Sequence, residues 1–172
     1  MRKIVGAFTA LTWLSLASCS GEDGDSVGAV EEGGRLTGFS AAHNVERAQE
    51  NADIPNIVWD EDLAGIAQSY ANKIAKKCEL VHSGNGYGEN LSANWGWEST
   101  PEEVVQGWAS ERADYNYSDN SCNPGRVCGH YTQVVWADST KLGCGLGKCD
   151  DGGEIWVCNY DKPGNFNGQK PY

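Results

Sequence analysis

The chain is short of positive charge: 13 Lys and Arg stand against 24 Asp and Glu, a formal net charge of −11. A surface of that sign repels phosphates, which argues against nucleic acid and anionic bilayers as partners. No apolar run follows the first few residues, and the one at 4–16 is too short to span a bilayer. There is no HExxH, so the helical zinc-protease motif is missing. No internal repeat and no second domain boundary follow the N-terminal region. At 172 residues the chain is one domain's worth, long enough to bury a core.

What is present begins with export. Arg2-Lys3 ahead of the apolar run reads as a signal peptide over 1–18. Leu16-Ala17-Ser18-Cys19 has the form of a bacterial lipobox, predicting cleavage before Cys19 and lipid on its sulfur. The alternative is an ordinary secretory signal that releases a soluble protein. Seven cysteines are an odd number, and acylation of Cys19 would leave six, an even set for disulfides in an oxidising compartment. Loss of the leader removes Arg2 and Lys3 and no acid, moving the formal charge to −13. The expected location is the cell envelope by a lipid anchor, in the outer membrane if the cell is Gram-negative, since Ser20 follows the cysteine. Residues 19–38, rich in Gly, Glu and Asp, read as a flexible acidic tether to a domain over 39–172.

Periodicity places the helices. Ser40 is expected to cap a helix over 40–52 with Val45, Ala48 and Ala52 on its buried stripe. Asp60 caps a second, in which Leu63, Ile66, Ala67, Tyr70, Ile74 and Cys78 recur at three- and four-residue steps. Thr100-Pro101-Glu102-Glu103 starts a third with a capping box, and Glu111 falls on the same face as Val104 and Trp108. Between them Tyr87, Glu89 and Leu91 share one face of an extended segment. Asp150-Asp151-Gly152-Gly153 turns a hairpin that sets Cys144 opposite Cys158, close enough to bridge. Proximity then pairs Cys122 with Cys128 and leaves Cys78 with Cys149, although six cysteines allow fifteen pairings.

The segment Gly129-His130-Tyr131-Thr132-Gln133-Val134-Val135-Trp136 joins an imidazole to an apolar run. Together with Cys158-Asn159-Tyr160, Gly164-Asn165-Phe166, Cys78-Glu79-Leu80-Val81-His82-Ser83, Gly88-Glu89-Asn90-Leu91 and Trp108-Ala109-Ser110-Glu111, it resembles the CAP superfamily of cysteine-rich secretory, antigen-five and pathogenesis-related proteins. The likeness runs from about residue 39 to 172 and is greatest to the plant pathogenesis-related members. Lys162 and Trp156 depart from the second family signature. The resemblance implies an α+β fold, a three-layer α-β-α sandwich around a small antiparallel sheet, with the same three disulfides. It also implies a cleft holding His82, Glu89, Glu111 and His130, and ligands of lipid or sterol type.

Two imidazoles and two carboxylates can hold Zn2+ or another divalent cation, with His82 and His130 as ligands. They can equally form a hydrogen-bonded network that ties elements together. A metal-dependent hydrolase or protease in the same cleft is the alternative. Catalysis ranks below binding because the nucleophiles are poor: Ser83 is adjacent to His82 in sequence, and Cys128 is expected in a disulfide. His43 reads as a polar helix residue rather than a ligand. Trp95 and Trp97 read first as core or loop packing, with a surface groove for a lipid or glycan as the other reading. The tail 162–172 resembles a peptide that plant relatives release, and here reads as packing sequence. A monomer is expected.

Overall fold

The computed structural model describes residues 28–50 and 52–172, so the predicted signal peptide, Cys19 and the first part of the predicted tether lie outside the described residues. Ten elements follow in order: α1 (Phe39–Arg47), β1 (Val58–Trp59), α2 (Glu61–Ala75), β2 (Gly88–Asn94), α3 (Pro101–Ala109), β3 (Tyr115–Asn116), β4 (Ser121–Cys122), α4 (Gly129–Val134), β5 (Lys141–Lys148) and β6 (Glu154–Asp161). The main sheet has the order β1-β5-β6-β2, antiparallel except for the two-residue parallel pairing of β1 with β5. α2 covers one face, while α1, α3 and α4 cover the other. This is the three-layer sandwich expected of the sequence.

β6 carries both cores by strand alternation. Trp156, Cys158 and Tyr160 enter the larger core with Phe39, Val105, Trp108, Tyr131 and Leu142. Ile155 and Val157 face the other way, onto Ala67, Ala71 and Ile74 of α2. The three disulfides are Cys78–Cys149, Cys122–Cys128 and Cys144–Cys158, and the hairpin register places Cys144 opposite Cys158 as expected.

The second helix is capped by Asp60, whose Oδ1 accepts from Leu63 N–H at 3.0 Å. Its buried stripe differs from the expected one. Leu63, Ala64, Gly65, Ala67, Ala71, Ile74 and Ala75 are buried, whereas Ile66, Tyr70 and Cys78 are only half-buried. The reason lies in the opposing strand. Gly143, Gly145 and Gly147 alternate on β5, and a Cβ on Gly145 would stand 2.3 Å from the Cα of Gln68. Helix and strand touch backbone to backbone, so the contact selects small residues.

The first helix also departs from its expected form. It ends at Arg47, well before residue 52, and Val45 is exposed while Phe39, His43, Glu46 and Arg47 are buried. Ser40 is not the cap. Gly38 precedes the helix with φ 107°, and the carboxylate of Glu32 accepts from Gly38 N–H (3.1 Å), Ser40 N–H (2.9 Å) and Ser40 O–H (2.8 Å). That carboxylate comes from the stretch read as tether. From Val30 onward the stretch is packed: Val30 N–H donates to Glu61 O, Trp59 Nε1–H donates to Val30 O, and Arg35 pairs with Glu154 at 3.0 Å. The folded unit therefore starts several residues before 39.

Arg47 carried no signal in the sequence. Its guanidinium is 1 % exposed and donates to the carbonyls of Pro55, Val134, Trp136 and Ser139 at 2.9–3.1 Å. Burial pulls its pKa down to about 10. These bonds tie α1 to the end of α4. The tail 162–172 packs onto the same region through Gly164 N–H to Gln133 Oε1 (2.9 Å) and Ala137 N–H to Pro171 O (2.8 Å).

Gly145→Ala forces an added methyl into the backbone of α2. It should lower unfolding free energy by about 1–3 kcal/mol in urea titration; a variant as stable as the parent would show that α2 moves away freely.

Candidate functional site

Three successive residues of the edge strand β2 assemble the site. Glu89 holds His82, with Oε1 2.7 Å from His82 Nδ1 and 2.9 Å from Ser83 N, while Asn159 Nδ2 donates to Oε2 at 3.4 Å. Asn90 donates to the backbone carbonyl of His130 at 3.0 Å. Leu91 O accepts from Trp108 Nε1–H at 3.0 Å, and the Trp108 ring lies nearly parallel to the His130 ring, 14° apart with centroids at 6.5 Å. β2 is held straight by its full register against β6, from Gly88 opposite Tyr160 to Asn94 opposite Glu154.

The second carboxylate is Glu111. The sequence put it on the third helix, but α3 ends at Ala109 and Glu111 sits in the 3-10 turn Ser110–Asp114 that follows. Its carboxylate meets the start of α4: Oε2 accepts from His130 N–H (2.9 Å) and Tyr131 N–H (3.2 Å), and Oε1 lies 2.6 Å from His130 Nδ1. The first amides of a helix have no intrahelical acceptor, so a carboxylate there satisfies them and suits the dipole. One side chain thus caps α4 and orients its imidazole.

The four residues form two His–Glu pairs, His82–Glu89 and Glu111–His130. Among the described residues no three of the four bring ligand atoms within 4.8 Å of one another; the single such cluster is Cys78, Cys149 and Asp151. The two sulfurs there are joined as a disulfide and offer no thiolate. An ionised carboxylate only accepts, so each imidazole carries its proton on Nδ1 and leaves Nε2 free. The side chain of His82 is 64 % exposed and that of His130 is 32 % exposed, which leaves both accessible from solvent.

The third imidazole has a role that the sequence reading did not assign. His43 lies in the first helix, and it is fully buried. Nδ1–H donates to Phe39 O (2.8 Å), and Nε2 accepts from Tyr160 O–H (2.9 Å). Asn90 Nδ2 donates to that same phenol oxygen at 3.1 Å. Hydrogen bonds therefore run from α1 through β6 and β2 to the backbone of His130. Burial lowers the His43 pKa to about 4 and raises that of Tyr160, so both stay neutral. The histidine at i+4 from Phe39 was visible in the sequence, but its Tyr160 partner is 117 residues away.

Among the described residues no base is hydrogen-bonded to either candidate nucleophile. Ser83 Oγ accepts from Asn85 N–H at 3.3 Å, and Cys128 is bonded to Cys122. Trp95 and Trp97 are neither core nor covered, at 46 % and 64 % exposure.

A CAP sandwich with paired His and Glu at its edge defines the class. Residues 41–160 match the Cysteine-rich secretory protein family, and the chain belongs to it. It is 48 % identical over 132 residues to "Pathogenesis-related protein PR-1 type" of Sambucus nigra, covering 76 % of this chain and 78 % of that one. Against "Pathogenesis-related protein 1" of Arabidopsis thaliana it is 49 % identical over 131 residues, 76 % and 78 % of the two chains. Among solved structures, the venom allergen-like protein 4 of Schistosoma mansoni superposes with a TM-score of 0.63 at 27 % identity, covering 78 % of this chain and 90 % of that one. NaASP2, a structure with Zn2+, superposes at 0.65 and 24 % identity, covering 84 % and 87 %. Export fits the three disulfides, and among the described residues no helix is long and apolar enough to cross a membrane.

Glu111→Gln removes charge from three hydrogen bonds at one helix start. It should cost about 1–3 kcal/mol in chemical unfolding; unchanged stability would mean that the carboxylate does not hold α4. His43 gives a pH signature. Its unfolded ring protonates near 6.5 and its folded ring resists until about 4, so its contribution is complete above pH 6.5 and shrinks as pH falls towards 4. Urea midpoints over that window should fall less steeply in His43→Gln than in the parent, and parallel slopes would refute the buried neutral ring.

Proposed function

We propose that the protein is an exported binding module of the cell envelope that takes a divalent cation at His82 and His130 and a lipid or sterol-like molecule in an apolar groove. The observation that carries the metal clause is the shared arrangement of the two imidazoles: each turns Nδ1–H to a glutamate and keeps Nε2 for a ligand. A carboxylate behind a ligating histidine fixes its ring and raises its basicity. With only two protein ligands the cation is weakly held and keeps water. For the lipid clause, a groove of about 390 Å3 between α1 and α3 has Ala41, Ala42, Val45, Pro101 and Val105 in its lining, beside Glu46 and Glu102. Val45 is exposed on its rim and adds an apolar side chain that a ligand would cover.

Tethering through a lipid on Cys19 belongs to the same proposal and rests on the Leu16-Ala17-Ser18-Cys19 motif. The hydrolase reading draws less support, because Glu111 is committed to backbone amides and no imidazole faces Ser83 Oγ.

Native mass spectrometry of the protein taken from membrane and medium fractions tests all clauses together. The expected result is a membrane-associated chain starting at acylated Cys19, with a co-purifying apolar ligand. One Zn2+ should add on titration in the parent and fail to add in His82→Ala/His130→Ala. An unmodified soluble chain refutes the anchor, equal zinc uptake by the double variant refutes the metal site, and an empty protein refutes the lipid clause.

A further inference from the structure

A second hollow, of about 710 Å3, opens beyond the end of β2 and is bounded by Ser92, Asn94, Trp95, Trp97, Ser99 and Glu103. It is separate from the α1–α3 groove, and nothing argued about the cation or the lipid bears on it. At 64 %, Trp97 is the most exposed large hydrophobic side chain among the described residues, and Trp95 stands two positions away at 46 %. The Trp95 ring and the Trp97 backbone are held in place. Trp95 Nε1–H donates to Asp151 Oδ2 at 3.1 Å, and the ring lies against Gly153, where a Cβ would come within 2.4 Å of that nitrogen. Gly96, at φ +92°, turns the chain between the two indoles, and Asn94 Nδ2 donates to Trp97 O at 2.6 Å.

That last bond leaves the other end of the amide alone. Asn94 is 9 % exposed, and its Oδ1 is buried with no hydrogen-bond partner. A buried acceptor without a donor is costly and calls for an explanation. The hollow therefore combines one fixed indole and one exposed indole with an unmet acceptor, Asn94 Oδ1, and is lined further by Ser92 and Ser99. Glu103 is the one charged residue that lines it, and its carboxylate disfavours anions.

We infer that this hollow binds a neutral oligosaccharide. A pyranose has an apolar C–H face for an indole and a rim of O–H or N–H donors for an amide oxygen. That mixture matches the lining. A sterol or an acyl chain would cover the indoles but leave Asn94 Oδ1 without a partner. An anionic glycan would meet the carboxylate of Glu103.

The test is two-dimensional NMR of the full-length protein, following the indole N–H signals during titration with tri-N-acetylchitotriose and with cellotriose. A saturable shift of the Trp95 and Trp97 signals is expected with at least one neutral trisaccharide, in the millimolar range typical of a shallow site. Trp97→Ala should weaken that binding roughly tenfold and Trp97→Phe should keep part of it. A hyaluronan oligosaccharide, which is anionic, should produce no shift. The inference falls if neither neutral sugar shifts the indoles up to about 10 mM, if Trp97→Ala binds as the parent does, or if dehydroergosterol alone moves these signals.

Discussion

Everything at the candidate site hangs on the pairing of β2 with β6. β2 is an edge strand with one neighbour, so its geometry depends on that single ladder and on what packs against its faces. Seven residues in register hold it straight, and three in succession then act outward: Glu89 through a carboxylate, Asn90 through an amide, Leu91 through a carbonyl. Each takes a partner from a different part of the chain: His82, His130 and Trp108. The His82 loop, the start of α4 and the end of α3 meet there because one strand offers three different hydrogen-bonding groups within a few ångströms.

The buried polar groups give this arrangement its definition. Apolar contacts are tolerant of small shifts, whereas a buried imidazole, phenol or guanidinium must find its partners at hydrogen-bonding distance. His43, Tyr160 and Asn90 form one such chain. Arg47 forms another hub by donating to four carbonyls, and Glu111 a third. Together they fix α1, α4 and β2 relative to one another. The opposite face uses a different device: alternate glycines on β5 bring α2 so close that only small side chains fit between them. One layer is specified by polar pairing and the other by steric exclusion.

Two surface features are left outside this rigid frame, the α1–α3 groove with Val45 and the hollow under Trp95 and Trp97. In both, apolar groups stand in water. A disulfide-stapled sandwich can carry such surfaces without losing its fold, because its own stability rests elsewhere.

Much of the structure was legible in the residues. The capping box at Thr100 and the cap at Asp60 depend on groups three residues apart, and the hairpin register that pairs Cys144 with Cys158 depends on one turn. The family motifs named His82, Glu89, Glu111 and His130. Misreadings occurred where a residue's partner is remote. Val45 looked buried because spacing reports a stripe without saying which side faces the core. Glu32 caps α1 from a segment that composition marks as tether. Glu111 looked like an anomaly on a helix because the amides it satisfies belong to another element. Local chemistry, acting over a few bonds, is written in the sequence. Which imidazole is sunk in the core, which carboxylates orient the other two, and which tryptophans stay in water are decided by contacts between distant segments, and only the folded chain brings those together.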